Sequence, residues 1–124
     1  MAVTYGFDHV HLNAPDVEST AAFYERVFGM RRIRTFEANG ITFVHLDAWG
    51  VRVTITSRAP RASGRGNAVD HFALHVPDLH AAIADLRAKG VEILSDYTVT
   101  GDYANIFIQA PDGVAVEILS PATK

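Results

Sequence analysis

The sequence predicts an α+β fold made of two copies of one β-α-β-β-β module, and three observations support this prediction. The segment FDHVHLNAPD at Phe7–Asp16 recurs as VDHFALHVPD at Val69–Asp78, an offset of 62 residues. Each copy runs into an amphipathic helical pattern that ends at a glycine, Gly29 or Gly90. Three strand-like segments separated by turn residues then follow each glycine. The chain therefore contains two copies of one supersecondary unit.

The first module is predicted over residues 6–57. Alternation of apolar and polar side chains indicates a strand at Gly6–Ala14, and Asp16 is a good N-cap for a helix over about Val17–Phe28. Asn39-Gly40 is a strong hairpin signal within the region that follows. The strands predicted in that region are about Met30–Glu37, Thr42–Asp47 and Val51–Ser57.

The second module, residues 69–120, repeats this plan after a linker at residues 58–68. The linker is rich in Gly, Ser and Arg, which is typical of a solvated connection; an anion-binding loop is the alternative. Asp78 is predicted to cap a helix that ends at Gly90. The strands predicted in this module are Val69–Val76, about Val91–Val99, Tyr103–Gln109 and Val114–Leu119.

Length and composition exclude several classes of protein. The 124 residues fit one domain, 1–124, whose two modules share a core, since a module of this size alone would be marginally stable. The net charge of −3 argues against binding to nucleic acid or membranes, and the absence of cysteine excludes disulfides and thiolate metal sites. No secretory signal or membrane-spanning segment is visible, so a cytoplasmic protein is expected.

The face of each predicted sheet that lies away from the helix carries polar side chains. Because successive side chains on a strand point to opposite faces, His9, His71 and Glu117 all fall on this face. A carboxylate within a strand of Val, Ile and Ala is costly to bury without a partner. We therefore expect two curved mixed sheets around a polar cavity, with the helices outside and a metal ion as the partner of Glu117.

Two imidazoles and one carboxylate form a facial ligand set that leaves open positions for oxygen ligands. This set favours Fe²⁺ or Mn²⁺, with Zn²⁺, Ni²⁺ or Co²⁺ as alternatives, over a closed structural zinc site. In the competing interpretation each histidine is an ordinary inward residue whose hydrogen bonds are satisfied. The repetition of the histidine and the matching parity of Glu117 favour the metal site.

The chain resembles the vicinal oxygen chelate superfamily, which includes glyoxalase I, methylmalonyl-CoA epimerase, extradiol dioxygenases, fosfomycin-modifying enzymes and bleomycin-resistance proteins. The resemblance rests on four motifs that cover nearly the whole chain: FDHVHLNAPD, AAFYERVFGM, VDHFALHVPD and APDGVAVEIL. It implies that His9, His71 and Glu117 are metal ligands and that the protein is a homodimer. Superposing the modules places Thr54 on Glu117, where glyoxalase I has a fourth, glutamate ligand; a three-ligand site is therefore expected.

Three further histidines are predicted on the cavity face. His45 could act as an acid–base group, contact the substrate or bind the metal, or it could be a rim histidine bonded to Asp47. His11 and His75 are expected either to contact substrate or ligands, or to be ordinary polar lining. The catalytic residues we predict are His45 and Glu117.

The predicted function is a divalent-metal-dependent enzyme that chelates a small substrate through two neighbouring oxygen atoms. The metal would act as a Lewis acid, and extradiol-type dioxygenation is the first choice because open positions could admit O₂. A glyoxalase- or epimerase-like proton transfer, with Glu117 or His45 as base, is the alternative reaction. A non-enzymatic drug-binding protein similar to bleomycin-resistance proteins is the alternative from another class.

Overall fold

The computed structural model describes Thr4, residues 7–60 and residues 69–122, and the chain divides into two units, Met1–Ala62 and Ser63–Lys124. Each unit contains one helix and one mixed four-stranded sheet, so the α+β fold of two β-α-β-β-β modules is confirmed. Gly6, at the start of the first predicted strand, and residues 61–68 of the predicted linker lie outside the described residues.

The first unit follows the predicted element order closely. Its sheet has the strand order β1-β4-β3-β2, in which β1 runs parallel to β4 and the other neighbours are antiparallel. Asn39 and Gly40 both have positive φ, 53° and 76°, as the predicted hairpin turn requires. The elements are β1 at His9–Asn13, α1 at Val17–Phe28, β2 at Arg31–Ala38, β3 at Ile41–Ala48 and β4 at Val51–Thr56.

Helix α1 covers one face of this sheet because its apolar side chains recur at helical spacing. Asp16 caps it by accepting a hydrogen bond from the Ser19 backbone N–H (3.1 Å), and Gly29 ends it in the left-handed conformation with φ of 74°. Ala21 and Tyr24 are fully buried against β3 and β4. Burial of each large apolar side chain contributes roughly 1.5–3 kcal/mol, which holds the helix on the sheet.

The second unit has the same order of elements, with a sheet ordered β5-β8-β7-β6. Strand β5 is parallel to β8, as β1 is to β4, and helix α2 is capped by Asp78, which accepts from the Ala81 N–H at 3.2 Å. A short 3₁₀ turn at Pro111–Gly113 joins the last two strands. The elements are β5 at Phe72–His75, α2 at Leu79–Ala88, β6 at Thr98–Thr100, β7 at Tyr103–Gln109 and β8 at Ala115–Pro121.

Two strand predictions in the second unit were too long. The segment predicted as a strand at Val91–Val99 contributes only β6 and an isolated bridge between Ile93 and Ile108. The strand is interrupted because a side chain takes the place of a backbone group in the sheet's hydrogen bonding. Ser95 Oγ, rather than a backbone carbonyl, accepts the Phe107 N–H at 2.8 Å. The strand predicted from Val69 begins at Phe72, the residue paired with Val116 of β8.

Neither helix in the described part of the chain has the length and hydropathy that crossing a membrane requires.

Candidate metal centre

His71 and Glu117 lie side by side on one face of the second unit's sheet. Glu117 stands opposite Ala73 in the β5–β8 register, and His71 precedes Ala73 by two residues, so both side chains point to the same face. His71 Nε2 is 3.1 Å from Glu117 Oε1. Two ligand atoms about 2.1 Å from one metal ion and at right angles are roughly 3 Å apart, so this pair fits a shared divalent ion.

Both members of this pair are held by neighbouring polar groups. His71 Nδ1 is 2.6 Å from Asp70 Oδ2, and the Asn105 amide donates a 2.7 Å hydrogen bond to Glu117 Oε2. The Phe107 ring contacts the His71 ring edge-on, with centroids 4.8 Å apart. These contacts leave Nε2 of the imidazole and Oε1 of the carboxylate directed at each other, which is the arrangement that outer contacts impose on metal-binding histidines.

The electrostatics of His71 follow from this arrangement. The Asp70 carboxylate, helped by Glu117 and opposed by partial burial, raises the pKa of His71 above its ordinary value. Each ring nitrogen faces a carboxylate oxygen, so the metal-free ring is stabilised in its protonated form. A divalent cation bound by Nε2 and Oε1 would take the place of the Nε2 proton, because a metal ligand must be deprotonated.

The first unit repeats the Asp-His arrangement with one addition. His9 Nδ1 is 2.6 Å from Asp8 Oδ2, as His71 is from Asp70, which leaves His9 Nε2 available as a ligand atom. Arg52 also donates to Asp8 Oδ2, at 2.8 Å. The hydrogen bond from His9, followed by the positive charge of Arg52, lowers the pKa of Asp8. Asp8 is therefore shared between His9 and Arg52, whereas Asp70 contacts only His71 among the described residues.

The strand registers support the predicted equivalence of Thr54 and Glu117. Thr54 stands opposite His11 in the first unit, and Glu117 stands opposite Ala73, the residue 62 positions after His11. Thr54 is only 4% exposed, and its hydroxyl has no hydrogen-bond partner among the described residues. The first unit therefore places an uncharged, unpaired hydroxyl where the second unit places the carboxylate.

His45 lies on β3 between two cross-strand neighbours. It pairs with Thr54 of β4 on one side and with Arg34 of β2 on the other. Its ring meets the Phe36 ring edge-on at 5.2 Å. Partial burial, and then the positive charges of Arg52 and Arg34, lower the pKa of His45. A neutral imidazole at neutral pH is the form that a general base requires.

The interpretation of His45 as a rim histidine bonded to Asp47 is wrong. Asp47 Oδ1 accepts the Gly50 backbone N–H at 3.1 Å, and its other oxygen lies 3.8 Å from Arg31. The described residues show no hydrogen bond between Asp47 and His45. The carboxylate is used to close the turn between β3 and β4. His45 is therefore free of a carboxylate partner on its own strand.

His11 and His75 differ in their surroundings. His11 Nε2 is 2.8 Å from Thr56 Oγ1, whose hydroxyl donates to Asn13 Oδ1 at 3.3 Å. This chain of contacts gives His11 a structural role within its sheet. His75 is exposed at the end of β5.

Three supporting residues were missed by the sequence reasoning: Asp8, Asp70 and Asn105. The signal for the first two was present, since Asp-His is one of the dipeptides repeated at the offset of 62 residues. No comparable pattern indicates Asn105, which reaches Glu117 diagonally from the neighbouring strand. Within the described residues of either unit taken alone, no three His, Asp or Glu side chains form a group that could hold a metal ion. The structure thus brings together His71 and Glu117, and His9 belongs to the other unit.

Comparisons with known proteins give consistent similarities. The family model described as Glyoxalase/Bleomycin resistance protein/Dioxygenase superfamily matches residues 6–118. The mitochondrial methylmalonyl-CoA epimerase of Homo sapiens is 25% identical over 125 residues, which cover 90% of this chain and 71% of the epimerase. A probable lactoylglutathione lyase of Vibrio parahaemolyticus is 27% identical over 120 residues, which cover 90% of this chain and 87% of the lyase.

The solved structures agree on the fold. A mutant of the fosfomycin resistance protein FosX from Listeria monocytogenes, complexed with Mn(II) and 1S,2S-dihydroxypropylphosphonic acid, aligns with a TM-score of 0.77 at 17% identity. The alignment covers 97% of this chain and 95% of the FosX chain. At this level of identity the similarity concerns the arrangement of helices and strands.

Proposed function

The chain belongs to the Glyoxalase/Bleomycin resistance protein/Dioxygenase superfamily, and from this membership we propose that it is a divalent-metal-dependent enzyme acting on a small substrate chelated through two oxygen atoms. The observation that carries the proposal is the 3.1 Å approach of His71 Nε2 to Glu117 Oε1, with both groups held from outside by Asp70 and Asn105. His9, the counterpart of His71 in the repeat, is the proposed third ligand.

The proposed reaction is proton transfer at a carbon next to a carbonyl group, as in an isomerase or lyase. The two curated relatives described above are an epimerase and a probable lyase, and this similarity is our reason for preferring proton transfer to the oxygenation favoured from the sequence alone. A bound divalent ion would act as a Lewis acid toward the chelating oxygens. We favour Mn²⁺ or Fe²⁺ over Zn²⁺, Ni²⁺ or Co²⁺, and the Mn(II) complex of FosX supports the first of these.

In this proposal the side chains of the chain have distinct roles. Asp70 fixes the tautomer and orientation of His71, and Asn105 orients Glu117. His45 accepts the substrate proton at a ring nitrogen, since its lowered pKa keeps it neutral at neutral pH. Glu117 is the second candidate base; we place it behind His45 because both of its oxygens are already engaged.

Metal binding is the first test. Isothermal titration of the metal-free protein with Mn²⁺ is expected to give one site per chain, and Glu117→Gln is expected to weaken it at least 100-fold. His80→Gln is the matched control, because this histidine lies on the exposed side of helix α2 and stacks on Tyr97 at 4.5 Å. Equal affinity in the Glu117→Gln variant and the unmodified protein would refute the site.

Turnover assays distinguish the reactions. The metal-loaded protein is expected to exchange an α-proton of a hemithioacetal or 2-substituted thioester with solvent deuterium, monitored by NMR. Extradiol dioxygenation remains the second candidate, because Thr54 at the position equivalent to Glu117 leaves a set of two histidines and one carboxylate. Oxygen consumption with catechols under Fe²⁺, without deuterium exchange, would make oxygenation the correct assignment.

The non-enzymatic alternative and the assembly state are tested separately. A protein that cannot be loaded with metal but binds bleomycin would be a drug-binding protein. We also propose a homodimer, as the family resemblance implies, and expect light scattering to give twice the chain mass. A cytoplasmic location likewise remains a prediction, to be checked by cell fractionation.

A further inference from the structure

Arg34 is a cation without an acidic partner in the first unit. Its guanidinium carbon lies 4.1 Å from the centre of the Phe36 ring, within the range of a cation–π contact. Among the residues that the structure describes, no carboxylate lies within ion-pair distance of it. The other two arginines on this face of the sheet are paired, Arg31 with Asp47 at 3.8 Å and Arg52 with Asp8 at 2.8 Å.

The charge balance of this face therefore leaves one positive charge. Strand register places three guanidinium groups and the Asp47 carboxylate on the side of the sheet that carries His45. A second carboxylate, Asp8, reaches this side through its ion pair with Arg52. The two carboxylates are already paired with Arg31 and Arg52. The Phe36 ring packs against the Arg34 guanidinium and leaves its N–H groups able to donate hydrogen bonds. An exposed, oriented and uncompensated guanidinium is suited to a planar oxyanion, which it binds through two parallel hydrogen bonds.

The position of Arg34 relates this charge to the proposed chemistry. Arg34 is the direct cross-strand neighbour of His45, so their β-carbons are about 5 Å apart. Phe36 links them further, because its ring contacts the Arg34 guanidinium and lies perpendicular to the His45 ring, with centroids 5.2 Å apart. An anion bound by Arg34 would thus lie within one small molecule's length of the proposed base.

We propose that Arg34 binds a carboxylate group of the substrate beside His45, so that the substrate class is a small monocarboxylate with an acidic carbon. This inference rests on the proposed function for the role of His45 and deepens it by naming the anionic group. The single uncompensated positive charge matches a monoanion, and the planar fork of the guanidinium matches the two oxygens of a carboxylate. A phosphate dianion would leave excess negative charge at this site.

The experiment is an NMR titration of the metal-free protein, prepared over a chelating resin. Acetate is expected to shift the backbone amide resonances of β2 and β3 around Arg34 and His45 in a saturable manner. Arg34→Gln is expected to raise the dissociation constant for acetate at least fivefold, and Arg34→Lys to give an intermediate value because the charge is retained without the fork. Inorganic phosphate is expected to bind no more tightly than acetate.

Arg31→Gln is the matched control, since it removes the same charge from the same strand but from an arginine already paired with Asp47. It is expected to change the acetate dissociation constant less than twofold. Equal losses in Arg31→Gln and Arg34→Gln would overturn the assignment, because they would indicate a diffuse electrostatic effect. Tighter binding of phosphate would overturn the choice of a carboxylate.

The titration separates this inference from the proposed function. It uses no metal and no turnover, so acetate binding that depends on Arg34 in a protein without metal-dependent proton exchange would contradict the function and retain the anion site. If turnover is established, Arg34→Gln is expected to raise KM for a carboxylate substrate at least tenfold while kcat changes less than threefold. The same variant should leave KM for the corresponding methyl ester unchanged.

Discussion

The two residues that flank the proposed ligand pair in the second unit show how much of a site can lie outside its ligands. His71 and Glu117 could adopt many rotamers on an open sheet face, but Asp70 and Asn105 select those that bring Nε2 and Oε1 to 3.1 Å. Groups of this kind have large effects on metal affinity although they do not touch the metal. Replacing one of these supporting residues therefore tests the site directly.

We expect Asp70→Asn to weaken Mn²⁺ binding roughly 10- to 100-fold, because the amide leaves His71 without a carboxylate on Nδ1. The pKa of His71 should fall in the same variant, since the Asp70 carboxylate is the main cause of its elevation. Titration calorimetry and the imidazole resonances measure the two effects. Asp85→Asn, an exposed carboxylate paired with Lys89 on α2, should change neither quantity.

Two neighbouring threonines on β4 offer a second test at this scale. Thr54 and Thr56 are both buried, but the Thr54 hydroxyl has no partner among the described residues while the Thr56 hydroxyl contacts His11 and Asn13. Replacing an unsatisfied buried hydroxyl by a methyl group removes a desolvation cost. Replacing a bonded hydroxyl removes its hydrogen bonds instead.

Thr54→Val is therefore expected to raise the free energy of unfolding by about 1 kcal/mol, and Thr56→Val to lower it by about 1–2 kcal/mol. Urea denaturation of the two variants measures the difference, and each serves as the control for the other because size and strand are the same. A loss of stability in both variants would show that the Thr54 hydroxyl has a partner in solution.

At the level of elements, a forked ion pair connects helix α1 to β2. Arg32 donates to Glu18 at 2.9 Å and to Glu25 at 2.8 Å, two carboxylates on the same face of the helix. The register explains this placement, since Arg32 pairs with Leu46 and both point toward the helix. A network in which one guanidinium pairs with two carboxylates constrains the position of the helix on the strand more than an isolated surface ion pair would.

We expect Arg32→Gln to lower the free energy of unfolding by about 1 kcal/mol, after allowance for the partial exposure of both carboxylates. Arg31→Gln, one residue earlier and largely exposed, should lower it by less than half as much. Chemical denaturation at neutral pH and low salt measures both. Equal losses in the two variants would mean that the ion pairs between Arg32 and helix α1 add nothing to the free energy of unfolding beyond the effect of removing a surface charge.

The same fork predicts a pH dependence. The hydrogen bond from Arg32, and then its charge, lower the pKa of Glu18 below its ordinary value of 4.5. Because the folded state favours the ionised carboxylate, this contribution is present above pH 4.5 and is lost as the pH falls through the lower folded-state pKa. Denaturation between pH 3 and 6 should show a weaker loss of stability in Glu18→Gln than in the unmodified protein.

For the whole molecule, sequence reasoning predicted the module plan well because that plan depends on local patterns. Caps at Asp16 and Asp78, turn glycines and the alternation of side chains are all visible in single segments, and the structure confirms them. The errors occur where a side chain replaces a ladder bond, as Ser95 does beside Phe107. No local pattern encodes that choice.

In the candidate site, too, the residues that follow a local pattern were predicted and those that depend on tertiary contacts were not. Parity predicted that His71 and Glu117 share a face, and the repeat predicted the equivalence of Thr54 and Glu117. Asn105 and Arg34 were not predicted, because their roles depend on diagonal neighbours across two strands and on which charges remain unpaired. Such information exists only once register and side-chain positions are fixed.

Metal binding should finally be visible in the stability of the whole chain. A ligand that binds only the folded state stabilises it by RT ln(1 + [L]/Kd), about 2.7 kcal/mol at one hundred times Kd. For a chain of this length we expect Mn²⁺ to raise Tm by roughly 10 °C at that concentration. Glu117→Gln should abolish the increase while retaining a cooperative transition.

The increase in Tm should also diminish as the pH falls below 6, because protons compete with the metal for the imidazole ligands and His71 holds its proton more tightly than an ordinary histidine. Differential scanning calorimetry with and without Mn²⁺ at pH 5.5 and 7.5 measures this difference. His80→Gln should leave both the increase and its pH dependence unchanged. An increase in Tm that is equal at the two pH values would place the bound metal on carboxylates alone and would exclude His71 as a ligand.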